Sequence, residues 1–409
     1  MPSRAPHDRP RLRISLGLNI AVLLAVAVVA AVGVGAVAWW LLGRPPIRAA
    51  GRWTPGESFD FAKIVLAVVG GAGAVVALVV AYRRQQLGEA AEQREEIKLF
   101  AERFTKASDQ LGAEKAPVRL AGLYALEDLA RGTPAQRQTI VNVLCAYLRM
   151  PYAPPDESES AGEENERRRQ ELQVRLTAQR ILGAHLRPDD AAEFWRDIDL
   201  DLTDATLVEF DLGRCRVRAA RFHRAEFAGR ADFAEARFDG VAGFGLATFT
   251  GVADFGEAEF ADSAAFGGAG FREWARFSEV RFGADAAFAE AGFGWLAAFD
   301  GADFAGAAGF RGARFREAWF TRATFGGVAK FTGAEFGANA EFGGVRVRLD
   351  PPRRPTTVRL GGEVVDEDAY PEEADHDFPG ALVVVDPPAE NDASLPGRPG
   401  RWGHLASAD

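Results

Sequence analysis

Residues that carry chemistry are scarce in this sequence. Cysteine occurs twice, at Cys145 and Cys215, with no C-x-x-C pair. Neither a disulfide framework nor a zinc site is indicated, and a reducing compartment fits the soluble part best. The five histidines, His7, His185, His223, His376 and His404, are scattered with no carboxylate or thiol at ligand spacing. No G-x-S-x-G or Walker-type run occurs, and the Gly-x-Gly sequences open no helix after a strand, which excludes nucleophile-elbow and phosphate-loop chemistry. An excess of positive charge is missing too. A formal net charge of −10 argues against a general nucleic-acid binder, whose phosphate affinity rests on Lys and Arg. The chain reads as no enzyme, with no cofactor and no metal.

Methionine and tyrosine are also rare, two and five residues, beside thirty Phe and forty-four Gly in 409 residues. An ordinary mixed core does not produce that skew, whereas a repeat does.

Two apolar runs precede the soluble part. Residues 14–42 (ISLGLNIAVLLAVAVVAAVGVGAVAWWLL) carry no charge and exceed the ~20 residues that span a hydrocarbon core. They also exceed the ~7–15 residues of a signal-peptide core. Residues 64–82 (IVLAVVGGAGAVVALVVAY) form a second run, stopped by Arg83 and Arg84. We therefore expect two transmembrane helices joined by an extracytoplasmic loop, 43–63, after a cytoplasmic segment, 1–13. Arg4, Arg9, Arg11 and Arg13 before the first run and Arg83 and Arg84 after the second outnumber Arg44, Arg48 and Arg52 between them, which favours both termini inside the plasma membrane.

A helical neck follows over 83–150. Within it Val118, Leu120, Leu123, Leu126 and Leu129, then Ile140, Val143, Leu144 and Leu148, recur at helical spacing, each set behind a proline. These two helices look like one HEAT-type pair. A single such pair cannot bury its face alone, so it is expected to pack on the preceding helix or on a second copy of the chain. Residues 151–166 are rich in Pro, Ser and Glu and read as a linker, 167–194 as a helix and lead-in, and the Pro-rich, acidic stretch 346–409 as a disordered tail.

The repeat occupies 195–345. Leu202, Leu207, Leu212, Val217, Phe222 and Phe227 fall every five residues, and steps alternating mainly between six and five then lead through Phe233, Phe238, Phe244, Phe249, Phe255, Phe260, Phe266, Phe271, Phe277, Phe282, Phe288, Phe293, Phe299, Phe304, Phe310, Phe315, Phe320, Phe325, Phe331, Phe336 and Phe342. Two positions ahead of every Phe from Phe222 on stands Ala, except at Val280. A helix would turn successive Phe side chains by about 140°, and a flat strand would scatter them over both faces. A chain that turns a corner between one Phe and the next keeps all of them on a common axis, with the small residue beside each. The result is a coiled β-solenoid with these residues as its structural core.

The run LTDATLVEFDLGRCRVRAARFHRAEF, with A-x-[LF] in strict fives, resembles the pentapeptide-repeat proteins. The resemblance implies a right-handed quadrilateral β-helix within an α+β multidomain chain. The extra residue at alternate corners departs from the family pattern. Upstream, AERFTKASDQLGAEKAPVRLAGLYALEDLA with IVNVLCAYLRMPY is similar to the head of membrane-anchored members from actinobacteria. These readings make the chain a membrane-tethered scaffold whose solenoid faces the cytoplasm and binds an unknown protein partner. Homo-oligomers through the neck or a solenoid end are left open. Some members of the family resemble duplex DNA and bind topoisomerases, so the resemblance also offers a DNA-mimic modulator of gyrase as the alternative. The Arg clusters at 214–224 and 311–316 weigh against that mimicry.

Overall fold

A computed structural model describes residues 55–155, 162–189, 191–348, 359–360, 363–364, 377–379, 382–385 and 402–407, with isolated positions between 25 and 40. The chain divides into two units, Met1–Ala101 and Glu102–Asp409. In the first unit the main element is helix α1, Pro55–Leu111, whose last turns belong to the second. The first expected span, 14–42, lies almost entirely outside the described residues. The second, 64–82, runs within α1, where only part of the side chains is described. Among the described residues no helix is long and apolar enough to cross a membrane.

The second unit begins with a small helical head: α2, Ala116–Gly132, α3, Arg137–Leu148, and α4, Glu163–Leu186. Leu123, Leu126, Ile140, Leu144, Val174 and Leu182 are fully buried between them. Gly122 lets α2 cross the end of α1 closely, since a Cβ there would stand 2.7 Å from the Leu111 backbone nitrogen. The buried Arg175 of α4 donates to the Leu148 (2.9 Å) and Met150 (2.7 Å) carbonyls, satisfying acceptors that the end of α3 leaves open. The expected helix pair thus gains a third helix, which starts inside the segment read as linker. Its uncovered side packs on the first strands of the solenoid. Gln138 Nε2 donates to the Asp199 carbonyl (2.9 Å) while its Oε1 accepts from the Asp199 N–H (2.8 Å). Gln179 does the same with Val208, at 2.7 and 3.2 Å. Two side-chain amides thereby stand in for the missing neighbour of the first strands and close that edge.

From Asp199 to Arg348 the chain coils through short strands, most of them two residues long, in parallel ladders, about seven turns in all. Leu207 pairs with Phe227, then Phe249 with Phe271, and later Phe304 with Phe325. A coil therefore takes 20 residues at the start, 22 in the middle and 21 near the end. The Phe rings form four columns, beginning at Phe222, Phe227, Phe233 and Phe238. Successive rings in a column lie 4.4–5.1 Å apart with planes within 16°. Two opposite columns interleave across the axis, as where Phe244 meets Phe233 at 5.4 Å and Phe255 at 5.3 Å, both edge to face. Edge-to-face contacts add ~0.5–1.5 kcal/mol each beyond burial.

The corners are of two kinds. At one kind, always a five-residue step, the N–H two residues past the corner's first residue closes back on the carbonyl of the column residue, as Ala236 does on Phe233 at 3.0 Å. The residue before that N–H has positive φ, as at Arg224, Glu235, Glu257 and Glu279. This is the type II turn arrangement, in which the third position prefers Gly, and Gly268, Gly301, Gly312, Gly333 and Gly344 take it further along. The six-residue steps fall at the other corners, which accommodate the extra residue. The departure from strict fives thus widens every second corner and leaves the Phe columns in line.

The far end is closed by VRVRL, whose alternation reads as a capping strand over the last coil, and by later sequence that reads as disordered. Arg346–Arg348 adds to the Thr324–Phe325 strand, Trp402–Ser407 pairs antiparallel with it, and Leu382–Val385 pairs with Trp402–Ser407. Asp377 bridges Ala329 and Phe331 through two 2.8 Å backbone hydrogen bonds, and Phe378 packs 5.5 Å from Phe331. Polar composition hid four β-favouring residues, LVVV, and one aromatic that the open edge can use.

Replacing Phe266, fully buried in mid-column, by Ala should cost about 3–5 kcal/mol. Phe336, half-buried at the rim, should cost clearly less on the same change. Chemical denaturation followed by far-UV circular dichroism measures both, and equal losses would contradict the columnar core.

Candidate functional site

Every inward position of the solenoid is filled, so what the domain offers is its surface. Leu202, Leu207, Leu212, Val217 and each column Phe through Phe325 are buried to within a few per cent of full coverage, with Phe331 and Phe342 close behind. The Ala column is equally covered, from Ala220 to Ala329. Outward side chains form ion-pair ladders from coil to coil. Arg224 holds Asp204 with two hydrogen bonds, 2.6 and 2.8 Å, and Arg218 holds Asp199 likewise at 2.7 and 2.5 Å. Arg216 and Arg237 share Asp239, at 2.7 and 2.8 Å, and Arg237 reaches on to Glu259. Arg230 and Arg276 converge on Asp254, at 3.3 and 3.5 Å. The arginine run at 214–224 is therefore not a free basic patch, because carboxylates of neighbouring coils neutralise much of it. Exposed pairs of this sort contribute ~0–1 kcal/mol each, so their main effect is on surface charge.

Among the described residues two shallow grooves stand out. At one tight corner Glu235, Glu257 and Glu279 stack on successive coils beside Arg281, Asp303 and Arg322 in a groove of about 490 Å³. Between α4 and the first coil Gln173, Gln179, Arg187, Glu209 and Asp211 line another of about 450 Å³. Among the described residues no group of three His, Cys, Asp or Glu is placed to hold a metal ion.

Residues 288–335 match the family model of pentapeptide repeats, nine copies. The solenoid is built of pentapeptide repeats. Comparison with curated proteins gives no match, and comparison with solved structures gives none either. The family match falls on part of the stretch where the Ala-x-Phe columns are continuous, and the ladder register carries the same coil geometry back to Asp199.

The reactive side chains that the sequence offers are built into the pentapeptide-repeat coil or its head. Cys215 replaces the inward Ala of one repeat, and burial pushes its thiol up to about 12. Cys145 inside α3 is pushed up to about 12 for the same reason. His185 is buried, its Nε2 2.8 Å from Glu127 Oε1 and its Nδ1 2.9 Å from the Glu193 carbonyl. Trp195 stacks on its ring at 4.1 Å. This cluster ties α2, α4 and the lead-in to the first coil and presents no open face. His223 lies half-buried on the solenoid and His404 falls in the Trp402–Ser407 strand, each far in sequence from His185, while His7 and His376 fall outside the described residues.

Sequence reasoning missed Gln138, Gln179 and the His185–Trp195 cluster. Their signal is weak, since a glutamine that mimics a strand edge has no pattern of its own. Trp195 did offer a hint, as a large apolar residue in a segment otherwise polar.

Two outcomes are expected. Both thiols should resist iodoacetamide in the folded chain at about pH 8 and react only after denaturation. Burial alone would raise the Asp239 carboxyl, but hydrogen bonds from Arg216 and Arg237 outweigh it and hold the group below its ordinary value. A carboxylate so depressed stabilises the folded state above its unfolded pKa of about 3.9 and loses that contribution as pH falls through the folded value. Asp239→Asn should therefore lower the melting temperature slightly at neutral pH, leave it nearly unchanged below the folded pKa, and so flatten the acid limb of the profile.

Proposed function

We propose that this chain is a membrane-tethered, non-catalytic scaffold whose pentapeptide-repeat solenoid docks a protein partner at the cytoplasmic face of the plasma membrane. The observation that carries the interaction reading is the filled axis. With Phe and Ala occupying every inward position, function has to reside in outward side chains displayed on a rigid frame. No catalytic family is indicated by the comparisons.

Support for tethering comes from the first unit. Residues 64–82 carry no charge, and Leu66, Val75, Leu78, Val80 and Tyr82 of α1 are exposed. A helix that shows such side chains to its surroundings is at home in lipid, where every backbone group is already satisfied within the helix. The arginines before 14 and after 82 favour both termini inside under the positive-inside rule.

The rival reading, mimicry of DNA toward a topoisomerase, draws on the Glu235–Glu257–Glu279 column. Arg281 and Arg322 interrupt that column, and the Arg-rich first coils are close to neutral, so a continuous acidic stripe is lacking.

Full-length protein expressed in bacteria should stay in the membrane pellet after carbonate washing, and affinity purification from solubilised membranes should recover one reproducible protein partner. Quantitative release into the carbonate supernatant would refute the tether, and a bare bait from membrane and cytosol alike would refute the scaffold. Gyrase supercoiling should be unchanged by micromolar amounts of the chain, and inhibition would favour the rival.

A further inference from the structure

The strands that close the far end cover two of the four faces of the last coil. Arg346–Arg348 with Trp402–Ser407 completes the face of Phe325, and Asp377 completes the face of Phe331. On the other two faces the ladder stops at Glu335–Phe336 and Ala340–Glu341. One coil earlier, the Ala318, Phe320 and Arg322 N–H groups donate forward to the Asn339, Glu341 and Gly343 carbonyls at 3.0, 2.7 and 2.8 Å, and the Ala313 and Phe315 carbonyls accept from the Glu335 and Gly337 N–H groups at 2.9 and 2.7 Å. The same groups of the last coil, the Ala340, Phe342 and Gly344 N–H and the Ala334 and Phe336 carbonyls, have no such partner among the described residues. Side-chain burial agrees. Ala318 is fully buried and Phe315 nearly so, whereas Ala340 is exposed and Phe336 half-buried. An open row of strand donors and acceptors beside uncovered apolar groups is a template for another extended chain.

The edge selects its occupant. A helix has already satisfied its own backbone and has nothing to give these donors, whereas an extended segment brings carbonyls at alternate residues to the Ala340 and Phe342 N–H groups. Side chains of such a segment alternate between its two sides, so one set lies inward over Ala340 and the other outward beside Glu341. Apolar residues suit the inward set. Basic residues suit the outward set, because Glu341 is exposed, stands in register over Trp319 rather than over a cation, and makes no ion pair among the described residues. Glu335, exposed on the other open strand with Arg314 beneath it, carries the same sign. A second copy turned about a twofold axis would bring its Ala334 and Phe336 carbonyls to these N–H groups, but it would also set Glu335 beside Glu341, and like charges opposed across a strand pair destabilise it. Nucleic acid is disfavoured by the same acidic rim.

We infer that the open edge at Ala340–Phe342 is a strand-addition site for an extended segment of a partner protein in which basic and apolar residues alternate. This deepens the scaffold reading by giving its partner a chemistry, and it rests on that reading.

The test uses the full chain in detergent with a fluorescein-labelled octapeptide of alternating Lys and Val. Controls are the same peptide N-methylated at every residue, whose methyl groups block both strand edges, and an alternating Glu-Val octapeptide. Saturable anisotropy change with the unmodified Lys-Val peptide alone is expected, weakened about tenfold or more by Glu341→Lys. Glu341 is exposed, so circular dichroism should show that variant folded. Hydrogen exchange read residue by residue should be fast at the Ala340, Phe342 and Gly344 N–H groups in the free chain and slow with peptide, while Ala318, Phe320 and Arg322 stay slow throughout. No saturable binding at millimolar peptide, equal binding of the N-methylated peptide or by Glu341→Lys, or protection at another edge instead would overturn the proposal. So would slow exchange at the three open groups in the free, dilute chain, which assigns the edge to the chain's own tail. Protection that grows with protein concentration beside a doubling of mass in sedimentation would assign it to a second copy and overturn it as well. A negative peptide result beside a partner recovered from membranes would sink this inference alone and leave the scaffold standing.

Discussion

The structure depends on a constraint of space along the solenoid axis. Four strand faces enclose room for one aromatic ring per face per coil, and once the rings stand in columns the position beside each is tight and is filled by Ala almost throughout. Phe and Ala two residues apart meet that condition because side chains in a strand alternate. The rings then fix the register, since sliding one coil by a residue would turn a charged side chain inward and a Phe out. Coil length can vary between 20 and 22 residues because the extra residue is absorbed at a corner. The constraint acts on the faces, and the corners are free to differ.

A stack held together by neighbour contacts alone has two unsatisfied ends. At the start the problem is solved with helices. Gln138 and Gln179 present amide groups to the first strands as another coil would, and Gly183 brings α4 close, its notional Cβ 2.9 Å from the Asp211 carbonyl. The far end is closed with the chain's own later segments, where Phe378 continues the aromatic packing and Trp402–Ser407 continues a ladder with reversed direction. Different materials answer the same physical demand, that an open row of backbone donors and acceptors be covered.

With the axis filled and the ends closed, what varies from coil to coil is the outside. In the first coils many outward positions carry paired charges, which contribute little to stability. Trp274, Trp295 and Trp319 break this pattern, since they are exposed and contribute nothing to the stacked columns. The buried thiols and His185 show the converse, groups of intrinsic reactivity placed where burial or hydrogen bonding leaves them structural.

The Phe spacing and its Ala partner determined the coil, its core residues and the number of turns, because a period that neither helix nor flat strand can satisfy admits few folds. The solenoid was therefore legible almost residue by residue. The surface was legible only as composition: the arginines at 214–224 read as a basic cluster until the register set Asp199, Asp204 and Asp239 against them. Tertiary structure alone decided those pairings, the helical floor and the strand closure. Each depends on residues about twenty or more positions apart meeting across a coil. A linear pattern encodes the period of such a stack, and contacts at its ends and surface follow only when the coils are laid one upon another.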